Sequence, residues 1–468
     1  MTTTIVEQCQ VAPSSGAPTE QLLKLLHLDI LFLHYPPMKS LLFYSFQCSE
    51  SHFLDTIVPN LKNSLSLTLK HFPPMAGKLV IPIKSDNNSM PVFQYVAGQD
   101  YFPLTIAVSN ADFANLTGYH SRDNDQFHDF VPQLPPAAIS DSSTVEFPVA
   151  AIQVTLFPNQ GVSVGFTIHH AICDGANVVH FMQTWASINR FNEDDSHLLA
   201  LGEKCLPFYE RDVIRDGDRL AMESWSYMKT LLPTTTTTLS SAVSLPTHAI
   251  RATFVLSKAQ IQKLKNLIPA GEDRVSSFTV ACAHLWTCLA RSAAAAGEEV
   301  ADDEPEYFCF PVDCRRRLDP PLPDTYFGNC SKVVIADSTN GKLKGGEGFL
   351  AAADAIGEAI QKGLSDEKGI MDGSLKSFRE FVEGIGKRMH SVGGSPRFDL
   401  YATDYGWGRP IKFDYIQGDN VGFFFFSKSR ESQGGIEIGV SMPKAKMDVF
   451  AAFFNQGPTT TDMLWCKM

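Results

Sequence analysis

The chain of 468 residues is 44% hydrophobic and 19% charged, the balance of a globular protein rather than a disordered one. Its net charge of −12 excludes a nucleic-acid partner, which would need a clustered excess of Lys and Arg. No run approaches the roughly 18 consecutive apolar residues of a membrane span, so no membrane partner is expected. The segment Met1 to Cys9 lacks the cationic stretch and apolar core expected of a secretory signal. Ten cysteines with no Cys-x-x-Cys pair fit reduced thiols and a cytoplasmic location better than a disulfide framework, and metal binding is unsupported.

The length accommodates two domains of about 200 residues each. In chain order, the first decisive element is Gly161 to Ile168, which is short, rich in β-branched residues and uncharged, and so predicts a buried strand. His169-His170-Ala171-Ile172-Cys173-Asp174-Gly175 follows at once, so His170 emerges at the strand's end. An imidazole has an unperturbed pKa of about 6.5, close enough to cellular pH to take a proton from a hydroxyl and hand it on. Asp174, one turn later, can fix the local backbone or pair with a cation. His169 reads as a core histidine.

A change of composition marks the seam between domains. From Leu231-Leu232-Pro233 the chain enters Thr234 to Thr238 and then Leu239-Ser240-Ser241-Ala242, with neither charge nor a helical stripe, as in an exposed connection. The crossover is placed between Asp195 and Leu245, with Pro207-Phe208-Tyr209 anchoring it on one domain. A loop reaching over an acceptor pocket is the functional alternative. The expected organisation is an N-terminal domain 1–194, a crossover 195–245 and a C-terminal domain 246–468.

Beyond the seam, Ile250 to Leu256 alternates like a strand, and Ser257-Lys258-Ala259-Gln260 is a capping box opening a helix through Ile261, Leu264 and Ile268. Ser276 or Ser277 caps a second helix, in which Phe278, Ala281, Leu285 and Leu289 recur at helical spacing and Trp286 widens the stripe. Strands are expected at Ile411 to Tyr415, Gly422 to Ser427 and Gly435 to Ser441, before a closing helix through Met447, Phe450 and Phe454. Strands and helices mixed in both halves predict an α/β protein.

Far downstream of His170 lies Asp404-Tyr405-Gly406-Trp407-Gly408. With the HxxxD spacing of His170 and Asp174, this segment resembles the paired signatures of the BAHD family of plant acyl-CoA-dependent acyltransferases, where the second reads DFGWG. Tyr405 in place of Phe preserves the aromatic packing. Tyr326-Phe327-Gly328-Asn329-Cys330 is similar to the YFGNC motif of the clade that acylates anthocyanins and other flavonoid glycosides. The likeness extends through Leu69 to Leu79 and Val312 to Arg315, and so over nearly the whole chain. It implies two similarly folded mixed-sheet domains like chloramphenicol acetyltransferase, an active site in a channel between them, and a monomer. It also implies O-acyl transfer from hydroxycinnamoyl-CoA or malonyl-CoA to a sugar hydroxyl of a phenolic glucoside. Acyl-CoA would then be a co-substrate, with no cofactor bound permanently.

Acyl transfer to an alcohol requires one base and one oxyanion site. His170 is expected as the base, a role worth about 10²- to 10⁴-fold in rate, and its protonated ring can then protonate the departing thiolate. The resemblance turns Asp174 away from the channel toward Arg315, as a structural ion pair rather than a relay; Arg316 and Arg317 follow directly. It places the DYGWG segment away from His170, with Asp404 in a structural salt bridge or, alternatively, in proton transfer. Asn329 reads as turn chemistry or as substrate contact, and Ser395 as part of the acyl pocket or oxyanion site. Lys258, Ser276 and Ser277 are candidates for the CoA phosphates, the serines because a helix N-terminus offers free N–H groups. The turn Gly175-Ala176-Asn177-Val178 has no Arg or Lys for a malonyl carboxylate, which favours a neutral aromatic acyl group. Competing readings are a hydrolase using Cys173, a peptide-bond condensation domain sharing the HHxxxDG pattern, and a catalytically silent flavonoid-binding relative.

Overall fold

The strands Ala150–Phe157 and Gly161–Ile168 form a hairpin in which every residue is buried, paired from Ala150 opposite Ile168 to Phe157 opposite Gly161. Burial on both faces leaves no polar alternation along the strand, which is why the sequence shows a continuous apolar run here. The computed structural model describes residues 2–82, 89–140, 144–191, 205–231, 249–269, 275–365, 370–385, 387–416 and 422–457.

The hairpin is the centre of a six-stranded sheet in the order Thr3–Val11, Phe102–Ser109, Ala150–Phe157, Gly161–Ile168, Met38–Ser45, Lys412–Tyr415. A seven-stranded sheet runs Ser331–Thr339, Pro305–Asp313, Met389–Gly394, Phe423–Lys428, Ile436–Pro443, Ala249–Leu256, Arg122–Asp123. Both sheets mix parallel and antiparallel neighbours. A smaller five-stranded antiparallel sheet, Glu20–Lys24, Val92–Val96, Lys78–Pro82, Thr144–Pro148, Ala138–Ser140, completes the N-terminal half. The helices Val58–His71 and Gly175–Phe191 pack together in the first core. In the second core, Ser277–Ala295 lies against Gly348–Leu364 and Lys444–Gln456.

Several expected elements lie where the sequence places them. Ser257 and Gln260 form the reciprocal capping box at the start of Lys258–Asn266. The last helix buries Met447, Phe450 and Phe454. Ser276 caps Ser277–Ala295 by accepting from the Thr279 N–H, which makes Ser277 the first helical residue rather than the cap. Among the described residues, no helix is long and apolar enough to cross a membrane.

The region expected as a crossover contains a helix. Residues 192–204 and 232–248, including the threonine run, lie outside the described residues. Between them Gly217–Leu231 is helical and buries Leu220, Ala221, Ser224, Trp225 and Met228. That spacing is an apolar stripe of period 3.6, so the linker reading of this stretch is corrected. The helix packs on His27–Leu31, where the buried His27 ring bridges the hydroxyls of Ser224 and Ser374. Phe208 and Tyr209 contact both halves rather than one: Phe208 N–H donates to the Thr325 carbonyl, and the Tyr209 hydroxyl donates to the His71 carbonyl at 2.8 Å.

The two larger sheets also exchange strands across the seam. Lys412–Tyr415, from the C-terminal half, pairs with Met38–Ser45 in the six-stranded sheet. Arg122–Asp123, from the N-terminal half, pairs with Ala249–Leu256 in the seven-stranded sheet. A buried ion cluster joins the exchanged strands: Arg122 donates twice to the Asp414 carboxylate, at 3.0 and 3.1 Å, and Lys412 Nζ lies 3.2 Å from it. Burial pushes the Lys412 ammonium down to about 8 against the pull of Asp414. Burial alone would raise the Asp414 carboxyl, but Arg122 and Lys412 hold it below the usual range. Removing one member of such a cluster leaves uncompensated buried charge. Asp414→Ala is therefore expected to lower unfolding stability by about 3–5 kcal/mol in urea titration; a loss below about 1 kcal/mol, the scale of an exposed pair, would show that the exchanged strands dock without it.

Candidate active site

His170 leaves the buried strand at Ile168 as the first residue of a tight turn and is half-buried. Its ring stacks on Phe32 with centroids 4.0 Å apart and planes 12° from parallel, and Tyr35 meets it edge-on at 5.2 Å. Nδ1 is buried without a hydrogen-bond partner among the described residues, so Nε2 is the ring nitrogen on the accessible side. Burial pushes the imidazole below its ordinary value, against the opposing pull of its own carbonyl oxygen, Asp174 and the Asn329 amide. The ring is therefore neutral near pH 7, the state a base must be in before it can take a proton. His169, by contrast, is buried and pushed down to about 4, as expected of a core histidine.

Asp174 does not touch the His170 ring. Its carboxylate takes both terminal nitrogens of Arg315, at 2.8 and 3.0 Å, together with the Cys330 N–H and the Asn177 side-chain amide. It also accepts from the Asn177 N–H at 3.4 Å, which makes it the N-cap of Gly175–Phe191. Burial alone would raise the Asp174 carboxyl, but the Arg315 guanidinium and these donors hold it below the usual range. Arg315 in turn donates to the carbonyls of Tyr326 and Gly328. Of the neighbouring arginines, Arg316 pairs with exposed Asp324 and Arg317 donates to the Asp313 carbonyl, so geometry singles out Arg315.

The YFGNC segment lies on the other side of this pair. Asn329 is buried, and its amide donates to the carbonyls of His170 and Ala171, at 3.0 and 3.2 Å, and to Asp29 at 3.1 Å. These contacts tie Asn329 to the turn at His170, while its side-chain oxygen is buried with no partner among the described residues. Gly328, at φ +144°, has to be glycine because an added Cβ would lie 2.3 Å from the Arg211 guanidinium. Arg211 pairs with Asp29 at 3.1 Å, and Asp29 also accepts the Asn329 N–H at 2.8 Å.

Asp29, Phe32, Tyr35, Asn177 and Arg211 are site residues that sequence reasoning missed. Asp29 had a signal: a carboxylate inside the apolar run Leu25 to Leu33 is a buried polar group in need of partners.

Asp404 is not placed for proton transfer. One carboxylate oxygen accepts the N–H groups of Gly406 and Gly408, at 2.8 and 2.9 Å, and the other pairs with Arg190 at 2.9 Å. Arg190 lies in the last turn of the helix that Asp174 caps, and its neighbour Asn189 donates to the Tyr405 carbonyl. Gly406 and Gly408 both take positive φ, +98° and +86°, which closes the turn around the carboxylate. Trp407 packs between Phe46, Tyr44 and Tyr405. The Cys173 hydrolase reading also fails, because the thiol is fully buried and burial, with Asp174 and Asp29 nearby, raises its pKa well above the ordinary value.

The remaining candidates lie toward one end of the seven-stranded sheet, beyond the last residues of its strands. Ser395 follows Gly394, which pairs with Phe426, and Phe426 meets Phe278 in the first turn of the helix capped by Ser276. The loop after Ser395 brings Phe398 against Gly175, where an added Cβ would lie 3.0 Å from the ring. Lys258 is exposed at its helix start beside Gly434. Among the described residues none of Lys258, Ser276, Ser277 and Ser395 makes a hydrogen bond or ring contact with His170, while the Ser395 loop reaches the helix Gly175–Phe191.

A transferase family model matches residues 1–456. The chain belongs to the BAHD transferase family. It is 42% identical over 459 residues to phenolic glucoside malonyltransferase 1 of Nicotiana tabacum, covering 97% of this chain and 98% of that protein. It is 35% identical over 465 residues to coumaroyl-CoA:anthocyanidin 3-O-glucoside-6''-O-coumaroyltransferase 2 of Arabidopsis thaliana, covering 97% of each. The crystal structure of vinorine synthase superposes with a TM-score of 0.68 at 20% identity over 96% of both chains, a likeness of fold.

Two outcomes follow from this geometry. Asp174→Asn keeps the size of the cap but leaves the buried Arg315 charge with only the half-exposed Asp313 carboxylate, 3.3 Å away. It should cost about 3–5 kcal/mol of stability in chemical denaturation, and a variant as stable as the parent would show the pair to be dispensable. The Tyr405 hydroxyl is buried with no partner among the described residues. Since such a group costs about 1–3 kcal/mol, Tyr405→Phe should raise the melting temperature by about 2–4 °C or more; a lower melting temperature would mean the hydroxyl is satisfied in solution.

Proposed function

We propose that this chain transfers an acyl group from acyl-CoA to a sugar hydroxyl of a phenolic glucoside. The observation that supports it is His170: a neutral imidazole at a strand end, its ring held by Phe32 and Tyr35 and its carbonyl held by the Asn329 amide. In this reading Nε2 takes the proton of the sugar hydroxyl as its oxygen attacks the thioester carbonyl. The new C–O bond forms, the C–S bond breaks, and the imidazolium returns the proton to the CoA thiolate. Asp174 and Asn329 position the turn without touching the reacting atoms. The Ser395 loop borders the acyl group, and Lys258, Ser276 and Ser277 stand at the sheet end proposed for the CoA phosphates. The protein is read as a cytoplasmic monomer.

Malonyl-CoA is the donor favoured here, because the relative at 42% identity is a malonyltransferase. Hydroxycinnamoyl-CoA is the second reading, favoured by the absence of Arg and Lys from Gly175 to Val178 and by the coumaroyltransferase at 35% identity.

The test is purified protein with phenolic glucosides, malonyl-CoA or p-coumaroyl-CoA, and product masses. A malonyl mass gain that falls by about 10²-fold or more in His170→Ala is expected; a gain with neither donor refutes the reaction. Because burial depresses the His170 pKa, its basic form persists below the ordinary value. The kcat/KM profile should stay level down to about pH 6.5 and fall by about tenfold per unit only below it. An acid limb starting above that value would contradict the assignment.

A further inference from the structure

Two restraints act on His170, one on its ring and one on its carbonyl, and a single short helix stands behind both. The helix His27–Leu31 ends in the C-cap residue Phe32, so Asp29 and Phe32, three residues apart, are neighbours on its surface. Phe32 stacks on the His170 ring. Asp29 reaches the backbone of the same histidine through Asn329. One Asp29 oxygen accepts the Asn329 N–H at 2.8 Å and its side-chain amide at 3.1 Å, and that amide donates to the His170 and Ala171 carbonyls.

A helix of five residues is too short to be stable alone, so its position has to come from its partners. His27 pins its start against Ser224 and Ser374. Asp29 supplies the other anchor. Its second oxygen accepts the Leu26 N–H at 3.0 Å and the Arg211 guanidinium at 3.1 Å, so both oxygens of this fully buried carboxylate are engaged.

Arg211, itself buried, faces the opposite side as well. It donates to the Tyr326 hydroxyl at 2.8 Å and lies over the Tyr326 ring at 5.3 Å, in the segment that carries Asn329. The chain around Arg211 is laced to that segment: Phe208 N–H donates to the Thr325 carbonyl, and Phe327 N–H donates back to the Phe208 carbonyl at 2.9 Å.

We infer that Asp29 and Arg211 are positioning residues of the acyl transfer: the pair clamps the helix bearing Phe32 to the segment bearing Asn329, and so fixes the His170 ring relative to its own backbone. The inference rests on His170 as the base and deepens that reading. Neither residue touches the reacting atoms. Since a misplacement of about 1 Å can cost about 10²-fold in rate, loosening the clamp acts on kcat rather than on binding.

The experiment takes the full chain as Asp29→Asn, Arg211→Lys and the double variant Asp29→Asn/Arg211→Met, which removes both charges. It measures kcat and KM for the active acyl-CoA with a phenolic glucoside, the pH profile of kcat/KM, the urea midpoint, and the rate at which diethyl pyrocarbonate modifies His170, read by peptide mass. Asp29→Asn should lower kcat by about tenfold or more with both KM values within about twofold. Arg211→Lys keeps the charge but not the planar fork, and should lose a smaller factor in kcat. The double variant leaves no buried charge unpaired, so its urea midpoint should return toward the parent while kcat stays low. Its net charge is that of the parent, and a ring freed from Phe32 is better hydrated, so its acid limb should move to higher pH and its His170 should be modified severalfold faster. Parental kcat and parental His170 modification in Arg211→Lys and the double variant would overturn the proposal, as would a kcat that recovers together with the midpoint. Those two variants decide the matter even where Asp29→Asn does not fold. A parent chain that transfers no acyl group would overturn the reaction instead, and the His170 modification rates still decide the clamp.

Discussion

The bidentate pair between Asp174 and Arg315 is the contact on which the rest of the site depends. It brings a residue from the end of an N-terminal strand against one from the turn after a C-terminal strand, and both are buried. The attraction of such a pair only roughly offsets the cost of desolvating it, so net stability does not explain its presence. Its other partners do. The same carboxylate caps the helix Gly175–Phe191 and takes the Cys330 N–H, while the same guanidinium holds the carbonyls of Tyr326 and Gly328. An apolar pair of equal volume could fill the space but could not satisfy those backbone groups. The pair therefore sets the register between two segments that the chain separates by 141 positions.

That division of labour leaves His170 unusually independent of its aspartate. In a relay, the carboxylate would accept from the ring and raise its basicity; here the ring is oriented by Phe32 and Tyr35, and burial lowers its pKa. A weaker base gives up some driving force for proton abstraction, but it is deprotonated over a wider pH range and returns the proton more readily to a leaving group. In the proposed reaction, where His170 takes a proton and returns it within one turnover, that compromise is a gain. Asn329, from the far side, fixes the backbone carbonyls of the same turn. Ring and backbone are thus constrained by separate elements, so neither depends on a single hydrogen bond.

The sequence made the chemistry legible and the support only partly so. The strand ending at Ile168, the capping box at Ser257 and the buried stripe of the last helix are local patterns, and local patterns survive in a linear reading. The role of Asn329 does not, because turn chemistry and ligand contact use the same short polar side chain, and only its three-dimensional partners tell them apart. The helix Gly217–Leu231 went unread because the charge-free threonine run beyond it dominated the composition of the region, although its own stripe is regular. The strand exchange was invisible for a different reason. A four-residue strand such as Lys412–Tyr415 has the same alternation whichever sheet it joins, and pairing partners are not written in a strand.

The exchange has a consequence for how such a site can diversify. The turn from His170 to Asp174 is tied down by a buried ion pair and backbone contacts, so substitutions there disturb charge balance and helix capping together. The strand positions 251, 253, 439 and 441 share one face of the seven-stranded sheet, while Ala252 and Val440 between them are buried in the second core. A residue on that face can change without displacing its neighbours in the core, and Gly439 marks a place where volume can be added at little cost. The exchanged strand carries Tyr415 from this face to the edge of the sheet whose inner strand ends just before His170. The two larger sheets are thus held together by two short exchanged strands and the buried ion cluster between them.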